Sequence, residues 1–257
     1  MLVCVKRVPA PGARIALTAD GRAVDTRNLG FTISPHEECA VEEALRIVER
    51  HGGESVVLTL GPPAAEQQLR HAVALGVDRA VHVTHDSLTE ESDWDPQATA
   101  AALTEAIRSL EEDGGAFDLI LFGNESADAG GFQVGVRIAH ALGRPIVNGV
   151  KAVEVEATSL TARRESPAGW EVHRLDLPAA VGVKEGINLP RYPTVTGRLR
   201  SRKAEVGVHA APAVAPGGLA LIGLEHPTET AVETTVLGHG AEAAPAVVDL
   251  IESLGLL

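Results

Sequence analysis

The chain has 257 residues, enough for one large α/β domain plus an appendage with ample core. It is 45% hydrophobic but only 3% aromatic, so Ala, Val and Leu must fill the interior. A net charge of −13 and a pI near 5.2 argue against general nucleic-acid binding and fit a soluble cytoplasmic protein. The two cysteines, Cys4 and Cys39, form no CxxC or Cys/His spacing, so neither a zinc site nor a disulfide framework is expected. The opening MLVCVKRV reads directly as a strand, without signal- or transit-peptide design. No apolar run approaches the roughly 20 residues that a bilayer span needs, so membrane insertion is not expected.

In chain order, residues 2–5 read as a buried strand with Lys6 and Arg7 at its end. A long Pro- and Gly-rich excursion over 9–30 follows, with a small hairpin. Most βα loops are short, and long loops on rigid scaffolds often carry function. Ser34-Pro35-His36-Glu37 is a helix start: Ser34 caps, Pro35 suits the first helical position, and Glu37 completes a capping box. That helix runs to about Arg50. Strands are expected at 56–60 and 80–83, with a helix at 64–75 between them. An acidic loop over 84–94 then leads to a helix opened by Asp95-Pro96.

The focal stretch is FDLILFGNESADAGGFQVG, 117–135. An apolar run ends at Gly123, a polar loop follows, and Gly130 and Gly131 open an amphipathic helix that closes at Leu142-Gly143. A helix N-terminus beyond a small-residue loop offers unpaired N–H groups and a favourable dipole to an anion. On local pattern two readings stand, a nucleotide phosphate site and an ordinary βα turn; neither GxGxxG nor a Walker loop is present. The βα alternation to residue 143 implies a doubly wound, mostly parallel sheet, with ligands at the carboxyl ends of the strands where strand order reverses.

The pattern changes after residue 149. Residues 150–155, 159–164 and 170–175 read as antiparallel strands, and 179–183 as a buried one. Residues 184–197 read as a loop with exposed apolar side chains, followed by a basic segment from Arg198 to Lys203. From Arg191 through Lys203 there are five positive residues and no acidic one. A solvated face and a docking surface for an acidic partner are the two readings. Residues 204–257 have little core of their own and end in an amphipathic helix, Ala244 to Leu254. They suit either an arm on another subunit or a terminus folded onto its own sheet. No catalytic constellation is evident: Ser126 stands outside any GxSxG elbow, and Glu125 and Asp128 lack a matching acid–base context.

Over essentially its whole length the chain resembles the β (small) subunit of electron-transfer flavoprotein. The resemblance is carried by VKRVPAPG at 5–12, SPHEECAVEEALRI at 34–47, LGPPAAEQQLRHAVALGVDRAVHV at 60–83, the 117–135 stretch, and NLPRYPTVTGRLRSRKAEV at 188–206. It implies an adenine-nucleotide α-hydrolase-like fold over 1–203, including the β extension and the docking loop. A C-terminal arm, 204–257, would pack on the partner α subunit. It further implies a non-enzymatic half of an αβ heterodimer whose α subunit holds most of the FAD, with AMP bound structurally in this subunit. The pair would carry electrons from acyl-CoA and related flavin dehydrogenases to a membrane quinone oxidoreductase.

Carried over by position, the AMP contacts implied by the resemblance are Cys4, Ser34, Pro35, His36, Glu37 and Leu60, with Gly123, Asn124, Glu125, Ser126, Ala127, Asp128, Ala129, Gly130, Gly131, Phe132, Gln133 and Val134. Partner docking would use Arg191, Tyr192, Pro193, Thr194, Val195, Thr196, Gly197, Arg198, Leu199 and Arg200. Val195 stands where the hydrophobic anchor is usually Leu. Glu165 falls where relatives place a carboxylate facing an arginine near the flavin. Ala129 and Gly130 replace the further acidic residues that many relatives carry. Two alternatives remain in the reading: a bifurcating form with a second FAD in the crevice, and an ATP-dependent α-hydrolase-like enzyme, for which ESADAGG lacks a Lys.

Overall fold

Short runs rich in Val, Leu and Ile, separated by amphipathic helices, assemble into one nine-stranded sheet. The computed structural model describes residues 1–88, 94–212, 218–228 and 234–256. The chain divides into two compact units, Met1–Leu224 and Glu225–Leu257. In the first unit the elements in order are β1 (Leu2–Cys4), β2 (Val8–Pro9), β3 (Phe31–Thr32), α1 (Pro35–His51), β4 (Val56–Leu60), α2 (Glu66–Leu75) and β5 (Arg79–Thr84). Then come α3 (Pro96–Gly114), β6 (Leu119–Gly123), α4 (Val134–Ala141), β7 (Ile146–Val155), β8 (Ser159–Ser166), β9 (Gly169–Asp176), β10 (Ala179–Val183), α5 (Val195–Lys203) and β11 (Val206–Ala210).

The sheet order is β11-β5-β4-β1-β6-β10-β7-β8-β9. Strands β11 through β7 run parallel, and β8 and β9 add an antiparallel extension. Alternating side chains feed two cores. Val3, Val57, Leu121 and Val181 meet the apolar stripes of α1 and α2 on one face. Leu2, Leu58, Ile120 and Phe122 meet α3 and α4 on the other. From β1 the chain steps outward to β4 and β5, then crosses to β6 on the opposite side of β1. Strand order therefore reverses between β1 and β6, which is where an open α/β sheet leaves a crevice.

The long excursion after β1 forms the expected hairpin: β2 pairs with β3, and Leu17 bridges Val24. Arg7 stacks over the Phe31 ring at 3.5 Å and fastens its base. Three boundaries differ from expectation. The helix after the glycine pair starts at Val134, because residues 126–133 are spent in turns, with Gly130 at φ 58°. Val195–Lys203 is a helix rather than the end of a loop. Val206–Ala210 joins the sheet beside β5, so the segment expected as an arm from residue 204 opens with a strand. The second unit carries α6 (Ala244–Ser253), and none of its described residues is buried. Among the described residues no helix is long and apolar enough to cross a membrane.

Candidate functional site

The crevice forms where β1, β6, the start of α1 and the start of α3 converge. Its volume is about 140 Å³, far above the ~15 Å³ needed to admit one ordered water. Cys4, Leu60, Leu103, Phe122 and Trp94 give it an apolar side. Asn124, Glu125 and Ser126 bring polar groups to its lining, with Ala129, Gly131, Phe132 and Val134 leading into α4. The first N–H groups of α4 lack intrahelical acceptors, and Gln133 supplies no side-chain cap. Apolar side chains beside unpaired N–H groups are features that an anionic ligand with an apolar body could use.

Glu37 organises the floor. Ser34 caps α1, accepting from the Glu37 N–H at 3.3 Å, while Glu37 accepts from the Ser34 N–H at 3.0 Å. The second carboxylate oxygen accepts from the Lys6 N–H at 3.0 Å, which ties the end of β1 to α1. Burial pushes the Glu37 carboxyl up to about 8, against the pull of those donors. Gly123 makes this approach possible: a Cβ there would meet the Glu37 Cγ at 2.6 Å.

The loop above is pinned by side chains. The Lys6 ammonium lies 2.8 Å from Asp128. Burial pushes the Asp128 carboxyl up, but the Lys6 charge and hydrogen bond, with the Ala129 N–H, leave it below the usual carboxylate range. His36 Nδ1 accepts from the Glu185 N–H at 2.8 Å, so Nε2 carries the proton and faces Glu125 at 3.3 Å. The Ser34 hydroxyl reaches the Glu125 carbonyl at 3.4 Å.

Of the positions expected to hold AMP, Cys4, Glu37, Leu60, Gly123, Asn124, Glu125, Ser126, Ala129, Gly131, Phe132 and Val134 line the cavity. Ser34, His36 and Asp128 stand behind it as supports. Sequence reasoning left out Lys6, Asn148 and the α3 residues Pro96, Thr99 and Leu103, which also line it. Asn148 sits beside a register shift between β7 and β10, opposite Gly182, where any Cβ would run into the Asn148 side chain. The Asp95-Pro96 helix start was the available signal for α3, since a helix beginning after β5 must open at the same sheet edge.

The 188–203 segment is built differently. Arg191 donates to the buried Glu42 through Nε at 2.8 Å and its own N–H at 3.1 Å, and to Glu49 through Nη1 at 2.5 Å. Asn188 donates to the Cys39 carbonyl and to Glu43. Thr194 caps α5, accepting from the Gly197 N–H at 3.0 Å. Gly197 rests on the Ala74 carbonyl at the end of α2, with no room for a Cβ. Arg200 donates to the Val73 carbonyl at 2.6 Å, and Arg70 returns the contact to the Ser201 carbonyl at 2.7 Å. Between these pins Tyr192 is 91% and Val195 77% exposed, with Leu189 and Leu199 also in solvent. Glu165, on β8 opposite Trp170, lies 3.9 Å from Lys151 on the exposed antiparallel extension.

Residues 22–214 match the family described as electron transfer flavoprotein domain. The electron transfer flavoprotein subunit beta of Syntrophomonas wolfei is 36% identical over 214 residues, covering 83% of this chain and 80% of the relative. Protein FixA of Azorhizobium caulinodans is 35% identical over 214 residues, covering 82% and 75%. The subunit beta of Mycobacterium bovis is 33% identical over 213 residues, covering 81% and 77%. With a doubly wound sheet, a crevice at its reversal point and this similarity spread along both, the chain belongs to the electron transfer flavoprotein family, as a β subunit.

Proposed function

We propose that this chain is the β half of an αβ heterodimer that takes electrons from acyl-CoA and related flavin dehydrogenases and passes them to a membrane quinone oxidoreductase. In this reading AMP sits in the crevice as a structural element, and FAD is held mainly by the α subunit. The observation that carries the reading is the crevice itself. Its apolar slot and the open N–H groups of α4 suit a base and a phosphate, while Asp128 occupies the Lys6 ammonium. In this reading the pocket keeps the nucleotide as part of the scaffold. The fit is of donor type and shape, so AMP would stiffen the junction of β1, β6 and α1 and supply no chemistry of its own.

The exposed apolar row from Leu189 to Leu199, flanked by Arg198, Arg202 and Lys203, supports a fast, reversible docking surface for the dehydrogenase. Glu165 would face the flavin-bearing part of the α subunit. The second unit, with Val247, Val248, Leu250 and Leu254 exposed around α6, suits an arm that finds its core on that partner. Denaturing the purified αβ complex and counting released nucleotides tests the assignment. One AMP and one FAD per dimer is the expected result. Two FAD and no AMP would mean that the crevice serves a second flavin, and ATP consumption with release of ADP or AMP would mean an enzyme.

A further inference from the structure

The five cations between Arg191 and Lys203 look alike in sequence but not in the structure. Arg198, Arg202 and Lys203 are exposed, and among the described residues no carboxylate lies within ion-pair distance of them. Arg191 is consumed internally: its guanidinium bridges Glu42 and Glu49, about two turns apart on α1, through four hydrogen bonds, and its N–H makes a fifth contact to Glu42. Arg200 is consumed as well, on the Val73 carbonyl in the last turn of α2 and the Val77 carbonyl just beyond it. Glu42 is itself only 4% exposed and is also held by Arg46 at 2.7 Å. The exposed apolar row thus hangs between one pin on α1 and one on α2.

We propose that Arg191 and Arg200 are positioning residues that hold the docking row in its partner-ready shape, while Arg198, Arg202 and Lys203 supply the charge that an acidic partner meets. This rests on the reading of 189–199 as the dehydrogenase-docking surface. The physical ground is the planar guanidinium fork. The fork makes four bonds to two carboxylates on one helix, whereas a lysine at the same place supplies an equal charge from a single nitrogen with three donors and cannot reproduce that set. A segment of prolines and exposed side chains, released from α1, would have to be reordered at each encounter. That ordering cost falls on association and not on the electron-transfer step.

Charge and latch predict opposite signs at one residue. Glu49 is exposed and accepts from both Arg191 Nη atoms. Glu49→Gln makes the surface more positive, so a pure charge role would lower the KM for the αβ complex as electron acceptor of an acyl-CoA dehydrogenase. A latch role would raise it.

The test measures KM and kcat for the purified complex and for three variants. Val195→Asp, in the apolar row, raises KM about ten-fold if the docking reading holds. Arg191→Lys raises KM about five-fold and Glu49→Gln about three-fold, both with kcat held. If Val195→Asp leaves KM unchanged, the docking reading fails and takes the latch with it. If Val195→Asp acts but Arg191→Lys keeps the parent KM, or Glu49→Gln lowers it, docking stands and the latch is overturned. Should Arg191→Lys fail to fold, the surface variant Glu49→Gln decides alone by the direction of its shift.

Discussion

At the N-terminus of α1, main-chain groups and one buried carboxylate shape the crevice; along its flank, long side chains tether the 188–191 segment. The crevice is made by close approach: Gly123 lets β6 meet the Glu37 side chain, and Glu37 joins the ends of β1 and α1. The α5 segment is made by reach: Arg191 spans α1, and Arg200 and Arg70 exchange contacts with opposite helix ends. Rigid contacts of the first kind suit a ligand that stays. Solvent-facing contacts of the second kind suit a partner that leaves, because they hold a surface in place without enclosing it.

The largest expected effect comes from filling the close approach. Gly123→Val puts branched carbons where a Cβ would already meet Glu37 Cγ at 2.6 Å. The α1 cap and the β1 end must move apart, at a cost of about 3 kcal/mol. The prediction is loss of bound AMP together with a lower denaturant midpoint. Retention of full AMP content would show that the crevice does not depend on this contact.

A smaller and spatially separate effect is expected at Gly197. Gly197→Ala drives a methyl group into the Ala74 carbonyl and lifts α5 from α2 by a cost of about 2 kcal/mol. AMP content should stay at the parent level while the KM of the complex for its dehydrogenase rises. Loss of AMP in Gly197→Ala would join the two regions and erase the contrast drawn between them.

The parallel sheet was legible in sequence because the strands are short apolar runs and the two longest helices open on side-chain caps, Ser34 and Asp95. The crevice followed from strand ends; of the 18 positions that the resemblance supplied, 11 line its wall, and Ser34, His36 and Asp128 brace that wall through hydrogen bonds and ion pairs. Helix α5 was not legible. Its sequence, VTGRLRSRK, has no apolar stripe, and Ser201 is its one buried residue. Its stability comes from the Thr194 cap, arginine contacts to distant carbonyls and a glycine pressed on Ala74, none of which leaves a periodic trace. For the same reason a run of five cations read as one patch, although Arg191 and Arg200 are engaged by acceptors on α1 and at the end of α2. Asn148 escaped because its place depends on a register shift between two strands far apart in sequence.

The finest test uses pH on the crevice alone. Glu37 is raised by burial to about 8, so over the window from its ordinary value of 4.5 to about 8 the folded protein keeps a proton that the unfolded chain has lost. Its contribution to stability is therefore complete below 4.5, erodes across that window and is gone above about 8. The same ionisation adds a negative charge near Asp128, with the Lys6 ammonium as the compensating cation. A phosphate on the 126–131 loop then meets one more anion through a partly shielded medium, which weakens binding about five-fold. AMP dissociation from the purified complex should thus accelerate as pH rises through about 8, with the docking KM changing far less. Glu37→Gln should flatten the profile while lowering overall stability, since an amide nitrogen would confront one of the two N–H donors. An AMP affinity that is level across this range in the parent complex would mean that Glu37 is already ionised beneath the bound phosphate. The floor of the crevice would then be held by Lys6 and the backbone donors against a standing charge, and not by a protonated acid.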